Sequence, residues 1–198
     1  MPCDICCTIP VYKEGRHMEG DDCLKQAYGC ILRNDFEGAI RWFERAIAAD
    51  PDNASYYYKC SISYSRSGKL DRALYYALRA VELDPEQKAY GYQLRTVQAS
   101  LLVSSARFDL GQQPPDPASA IHTLQEAIEL DPLSFDGFFL LGEAYALLNR
   151  LDDAVRCALE AIRLNPGDDS ARTLFTDMSR KRRALRYRQQ RRQRRRNR

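Results

Sequence analysis

Apolar residues recur three and four positions apart along most of this chain, in stretches of about thirteen residues divided by polar or turn-forming residues. That spacing puts them on one face of an α-helix. Ala54 to Gly68 reads as one such stretch and Leu70 to Leu83 as the next. Gly68 breaks the pattern between them, and Pro85 stops the second. Phe135 to Leu148 and Leu151 to Leu164 repeat the arrangement, with Asn149 and Pro166 as the breakers. Between these pairs, residues 87–110 contain no proline and one glycine, and Leu94, Val97, Leu101, Leu102, Phe108 and Leu110 recur at helical spacing. This predicts a single helix of about 23 residues, roughly 35 Å long. A loop from Gly111 to Pro117 follows. Residues 169–187 form a further amphipathic stretch, with Ala171, Leu174, Phe175, Met178 and Leu185 near one face.

The punctuation between stretches is periodic. Asp50-Pro51, Asp84-Pro85, Asp131-Pro132 and Asn165-Pro166 close similar phrases: RAIAADP, RAVELDP, EAIELDP and EAIRLNP. The first two prolines are 34 residues apart, as are the last two, and 47 residues separate the middle pair. Self-similarity at that period marks a stack of helix pairs, in which no pair buries its apolar stripe alone. Small residues fall at fixed offsets, as close helix crossings require: Ala27, Ala39 and Ala46; Ser61, Ala73 and Ala80; Gly142, Ala154 and Ala161. Phe43, Tyr64, Leu141 and Tyr145 supply bulk between them.

These residues resemble the tetratricopeptide-repeat (TPR) family, with small residues at positions eight, twenty and twenty-seven and proline at thirty-two of each 34-residue unit. The resemblance covers about residues 20–166. It implies an all-α, right-handed α-solenoid of helix pairs. The expected organisation is a flexible Cys-containing N-terminus (1–19) and a solenoid (20–167) with units at 20–53, 54–87, 88–134 and 135–167. A capping helix (168–187) and a disordered arginine-rich tail (188–198) complete it. The third unit departs from the pattern. Its position eight is Arg95 counted from Lys88 and Phe108 counted back from Pro132, and neither is small.

By the geometry of that family, the first helices line a concave groove. Its candidate residues are Leu24, Tyr28 and Ile31 in the first unit, Ser55, Tyr58, Ile62 and Arg66 in the second, and Asp136, Phe139 and Glu143 in the last. Mixed aromatic, apolar and polar groups suit an extended peptide or an amphipathic helix. A family subtype that grips a terminal carboxylate uses Lys and Asn where this chain has Leu24, Tyr28 and Lys59, so that mode is not expected.

Charge adds a second surface. Residues 180–198 hold Arg180, Lys181, Arg182, Arg183, Arg186, Arg188, Arg191, Arg192, Arg194, Arg195, Arg196 and Arg198 and no acid. Residues 1–179 hold 18 basic and 27 acidic residues, a net of −9. Guanidinium groups pair bidentately with phosphate, so the tail is a candidate for unspecific binding of RNA or another polyanion, or an address signal.

Candidate chemistry is sparse. His17 and His122 have no Cys, Asp or Ser partner at a motif spacing, and no glycine-rich phosphate loop occurs. Cys3, Cys6 and Cys7 include one CxxC, which lacks the second pair a structural zinc site needs. Cys23, Cys30, Cys60 and Cys157 lie within helical stretches and read as small buried residues. There is no apolar run near 18 residues and no signal-like N-terminus. The expectation is a non-enzymatic scaffold with no cofactor or bound metal. Its location is cytoplasmic, or nuclear in a cell that has a nucleus, and its partner is a protein met in the groove. The alternative is a nucleic-acid-associated protein acting through its tail.

Overall fold

A computed structural model describes residues 20–196. Among these residues there are nine helices and no strand: α1 (Gly20–Leu32), α2 (Phe36–Ala49), α3 (Ala54–Arg66), α4 (Leu70–Leu83), α5 (Lys88–Gly111), α6 (Pro117–Leu130), α7 (Phe135–Leu147), α8 (Leu151–Leu164) and α9 (Asp169–Arg196). Each packs on the next in chain order. The architecture is the expected α-solenoid of helix pairs closed by a C-terminal helix.

Local chemistry repeats with the sequence. In three of the four pairs the internal turn holds one residue in the left-handed region at the same place: Asn34 (φ 58°), Gly68 (φ 77°) and Asn149 (φ 57°). Gly and Asn are the residues that enter this region at least cost. The following N–H, of Asp35, Lys69 or Arg150, donates to the carbonyl five residues back, which closes the helix C-terminus. At the ends of the second helices, the N–H groups of Asp50, Asp84, Asp131 and Asn165 donate to Ala46, Ala80, Ala127 and Ala161, and proline then prevents another turn. Asp35, Asp116, Ser134 and Asp168 cap helix N-termini by accepting from backbone N–H groups three residues on.

The small residues lie where the helices cross. Ala27, Ala39, Ala46, Ser61, Ala73, Ala80, Ala154 and Ala161 are all fully buried. The Ser61 hydroxyl donates to the Ala73 carbonyl at 2.9 Å, and a Cβ on Gly142 would lie 3.5 Å from the Ala154 carbonyl oxygen. Positions eight and twenty therefore meet within the pair, as the repeat requires.

The third pair explains why it could not be aligned from either end. α5 has 24 residues where α3 and α7 have 13, and the turn after it spans residues 112–116 where the other internal turns span three. Eleven extra residues thus lengthen the helix and two lengthen the turn. Eleven residues make about three turns, so the added length returns the helix to nearly the same face. Ala106, fully buried, takes the small-residue place opposite α6; Arg95 is exposed and Phe108 is 70% exposed. The lengthened helix joins two cores. Val97 packs with Ala27, Phe43, Cys60, Tyr64 and Ala73 on one side, and Ala99, Val103 and Ala106 pack with Leu124, Leu141, Tyr145 and Ala154 on the other.

α9 corrects the expected C-terminal boundary. It packs on α8 and α7 through Ala171, Leu174, Phe175 and Met178, but Leu185 is 37% exposed and the helix continues past Tyr187 to Arg196. The end of an apolar stripe marks the end of packing, not of helix. Residues 169–196 contain neither Gly nor Pro, Arg and Gln are good helix formers, and arginines near a helix C-terminus complement its dipole.

Candidate functional site

The stack curves in a definite sense. α3 comes within 8 Å of α5, α5 of α7, and α7 of α9, Cα to Cα, whereas no two of α2, α4, α6 and α8 do. From α3 onward the odd-numbered helices therefore line the inner side. This is the face on which the groove residues were expected.

Those residues differ in how free they are. Leu24 and Ile31 are half-buried and pack on the first core, so their side chains serve the fold in part. Tyr28 is 47% exposed and meets Phe43 edge-on at 6.3 Å. Tyr58 is half-buried against Tyr90, with ring centres 5.0 Å apart, and Ile62 is half-buried on the same helix. Arg66 is exposed at the end of α3. Phe139 stacks on Phe135 at 6.0 Å. Glu143 is half-buried, and burial raises its carboxyl above the usual range against the opposing pull of Arg107. The sequence reading missed Tyr90 and Tyr92, the latter 47% exposed. Lys59, weighed from the sequence only as a carboxylate-gripping position, has an ammonium that donates to the Ser55 hydroxyl and a pKa that burial lowers. Only the aromatic content near Lys88 pointed towards the two tyrosines, because α5 had no alignable frame.

Concavities lie where neighbouring odd helices meet. One, of about 290 Å3, is lined by Leu70, Ser100, Val103, Ser104, Arg107, Ser134 and Asp136, where the extra turns of α5 meet α7. Arg107 lies 3.6 Å from Asp136 across it. Another, of about 450 Å3, lies between α7 and α9 and is lined by Phe139, Leu174 and Met178 with Glu143, Asp169, Ser170, Thr173 and Asp177.

The arginine-rich segment stands apart from both. Arg182 and Arg186 share the Asp152 carboxylate, at 3.3 and 3.2 Å, and Arg191 lies over the Tyr187 ring at 5.8 Å. Arg180, Lys181, Arg183, Arg188, Arg192, Arg194, Arg195 and Arg196 are exposed. Arg198 lies outside the described residues, as do Cys3, Cys6, Cys7 and His17.

Burial holds the Cys60 thiol well above its ordinary pKa and raises that of Cys157 to about 11, so both are inert thiols at neutral pH. Tyr64 and Tyr76 both donate to Glu44, at 2.6 and 3.0 Å, in a network that ties α2 to α3 and α4. The Gln125–Tyr145 contact occupies the equivalent place between α6 and α7. Among the described residues no group of three His, Cys, Asp or Glu side chains is placed to hold a metal ion, and no helix is long and apolar enough to cross a membrane.

Comparison with known proteins agrees with the repeat. The family profile described as "Tetratricopeptide repeat" matches residues 116–169, and that described as "TPR repeat" matches residues 30–68. Serine/threonine-protein phosphatase 5 of Rattus norvegicus is 37% identical over 71 residues, which are 36% of this chain and 14% of that protein. The Homo sapiens phosphatase is 35% identical over a stretch of the same length. The chain thus spans about one seventh of the curated relatives it matches. Among solved structures, a MamA double mutant aligns over 82% of this chain and 84% of its own at 18% identity and TM-score 0.49. MamA from Desulfovibrio magneticus RS-1 aligns over 82% and 85%, also at 18% and 0.49. Stacked helix pairs of this kind form a protein-interaction scaffold. On the 34-residue period, its crossing residues and the two profile matches, the chain belongs to the tetratricopeptide-repeat family.

Proposed function

We propose that this protein is a non-enzymatic adaptor, cytoplasmic or nuclear, that holds an extended peptide or an amphipathic helix of a partner protein along its inner face. The observation that carries this is the set of aromatic side chains left partly open on the odd helices, Tyr28, Tyr58, Tyr92 and Phe139, on a frame otherwise closed by buried small residues. Aromatic anchors dominate interfaces of this kind, because they bury large area at little conformational cost. The test is a Tyr28→Ala, Tyr58→Ala, Phe139→Ala triple variant used as bait beside the wild type. The variant keeps its helical circular dichroism and loses the captured partner. A folded triple variant that retains every partner removes the groove from consideration.

A second reading assigns the arginine-rich helix to RNA or another polyanion. It is supported by the exposure of Arg188–Arg196 beyond the last packed turn. A pre-formed helix loses less entropy on binding than a disordered tail would. With about six phosphates of a single strand contacted, the log–log salt slope is about −4. Fluorescence anisotropy with unrelated RNA sequences tests this, comparing the full chain with one ending at Ser179. Equal affinity of the two, or binding insensitive to salt, rules it out.

A further inference from the structure

α9 carries opposite charge at its two ends. Its first nine residues hold Asp169, Arg172 and Asp177, a net of −1 with Arg172 paired to Asp169 at 3.3 Å, and from Arg180 onward it holds only cations among its charged residues. The early segment forms one wall of the cleft between α7 and α9, whose floor is apolar (Phe139, Leu174, Met178) and whose rim bears Glu143 and Asp177. Among the described residues Asp177 makes no hydrogen bond or ion pair. The arginines from Arg188 onward cannot reach this cleft within the same molecule. They continue the same helix away from it, and Arg188 lies eleven residues beyond Asp177, about 16 Å along the axis. Leu185 and Tyr187 are also exposed on this helix, 37% and 62%, without a core of their own.

We propose that the α7–α9 cleft receives the arginine arm of a second copy of this chain, in an antiparallel α9–α9 dimer. Antiparallel pairing sets the acidic start of each helix against the basic end of the other, so both contacts form under one two-fold axis and the assembly closes at two copies. An arginine suits the cleft in both its parts. Its methylene stem lies on Phe139, Leu174 and Met178, and its guanidinium reaches the carboxylates of Glu143 and Asp177 with paired N–H donors. The opposed macrodipoles of the two helices act in the same direction. Leu185 and Tyr187, near the middle of the pair, gain a neighbour that the monomer does not offer.

Sedimentation velocity of nuclease-treated full-length chain tests this over a protein concentration series at low and high salt. The proposal expects the mass to rise from 22.8 kDa towards twice that value at low salt and to stop there. It falls back at high salt, because the exposed contacts are screened. A chain ending at Tyr187 lacks the arm, and a Glu143→Gln, Asp177→Asn chain lacks the rim charges; each associates at least tenfold more weakly with itself. Mixed together, they form a heterodimer through the one arm and the one cleft that remain. A monomeric wild type at every concentration in low salt overturns the proposal, as does a dimer that both variants retain or a mixture that forms none. Association that nuclease abolishes also overturns it, and assigns the arm to nucleic acid. Partner capture by the groove is read separately on the chain ending at Tyr187, whose aromatic groove residues are intact.

Discussion

A single substitution, glycine to alanine, has opposite expected effects at two helical sites. At Gly91 in α5 a Cβ meets nothing within 4 Å. The change then acts through backbone entropy alone and stabilises by about 0.5–1 kcal/mol. At Gly142 in α7 the same entropic gain is available, but the new Cβ lies 3.0 Å from Leu174 Cδ2 and 3.5 Å from both the Ala154 carbonyl oxygen and Cys157 Cβ. Carbon pairs are attractive at about 3.5–4.0 Å, so the Leu174 methyl must retreat by about half an ångström. Leu174 is half-buried and is itself the contact by which α9 closes the stack, so the retreat loosens that packing. The two effects nearly cancel, leaving Gly142→Ala about 1 kcal/mol below Gly91→Ala. Gly142→Leu adds three more carbons at a crossing where the opposed backbone cannot move, and overpacking then costs about 1–3 kcal/mol. Urea titration followed by circular dichroism reads all three as midpoint shifts at constant slope. If Gly142→Ala stabilised as much as Gly91→Ala, and Gly142→Leu cost nothing, position eight would not be the close crossing that the fold rests on.

Other sites test separate parts of the account. Phe43, fully buried beneath Tyr28, is expected to lose about 3–5 kcal/mol on replacement by Ala, measured by the same titration. Thr96 Oγ1 is buried without a hydrogen-bond partner among the described residues, so Thr96→Val, of nearly the same shape, is expected to be neutral or to stabilise by about 1 kcal/mol. Burial raises the Glu143 pKa in the folded chain, so this group favours folding below the ordinary carboxylate range and loses that contribution as pH rises through its raised value. Glu143→Gln therefore gains stability relative to the wild type as pH rises from about 4 to neutral, and an unchanged difference across that range would contradict the burial argument.

The helix pairs were legible because their punctuation is local. Pro51, Pro85, Pro132 and Pro166 stop helices by their own covalent structure, and Gly68 and Asn149 enter the left-handed region by theirs. The crossings were legible because only small residues fit them, and the same types recur at Ala39, Ala73 and Ala154. The third pair resisted because its 13 extra residues are shared between a helix and a turn. Neither count, from Lys88 or from Pro132, lands on Ala106. α9 was cut short because an apolar stripe reports packing, while its helix persists on the propensity of Arg and Gln. The groove was partly legible: Tyr58 and Phe139 hold equivalent places, three residues before Ser61 and Gly142, and Tyr28 follows Ala27 in the first unit, whereas Tyr90 and Tyr92 sit in the irregular one. The α7–α9 cleft was not legible at all, since Asp177 and Glu143 are brought to one rim only by the docking of α9 on α7.

The claim that a partner lies along the inner face is tested most directly by placing a photo-crosslinking residue at single sites of the full-length chain in its native cell. Tyr58 and Phe139 report the inner face, on α3 and α7; Tyr75, 54% exposed on α4, reports the second-helix side. The account predicts that one protein partner is captured from both Tyr58 and Phe139 and is absent from Tyr75. Capture from Tyr75 alone, or of no protein from either inner site, would contradict it.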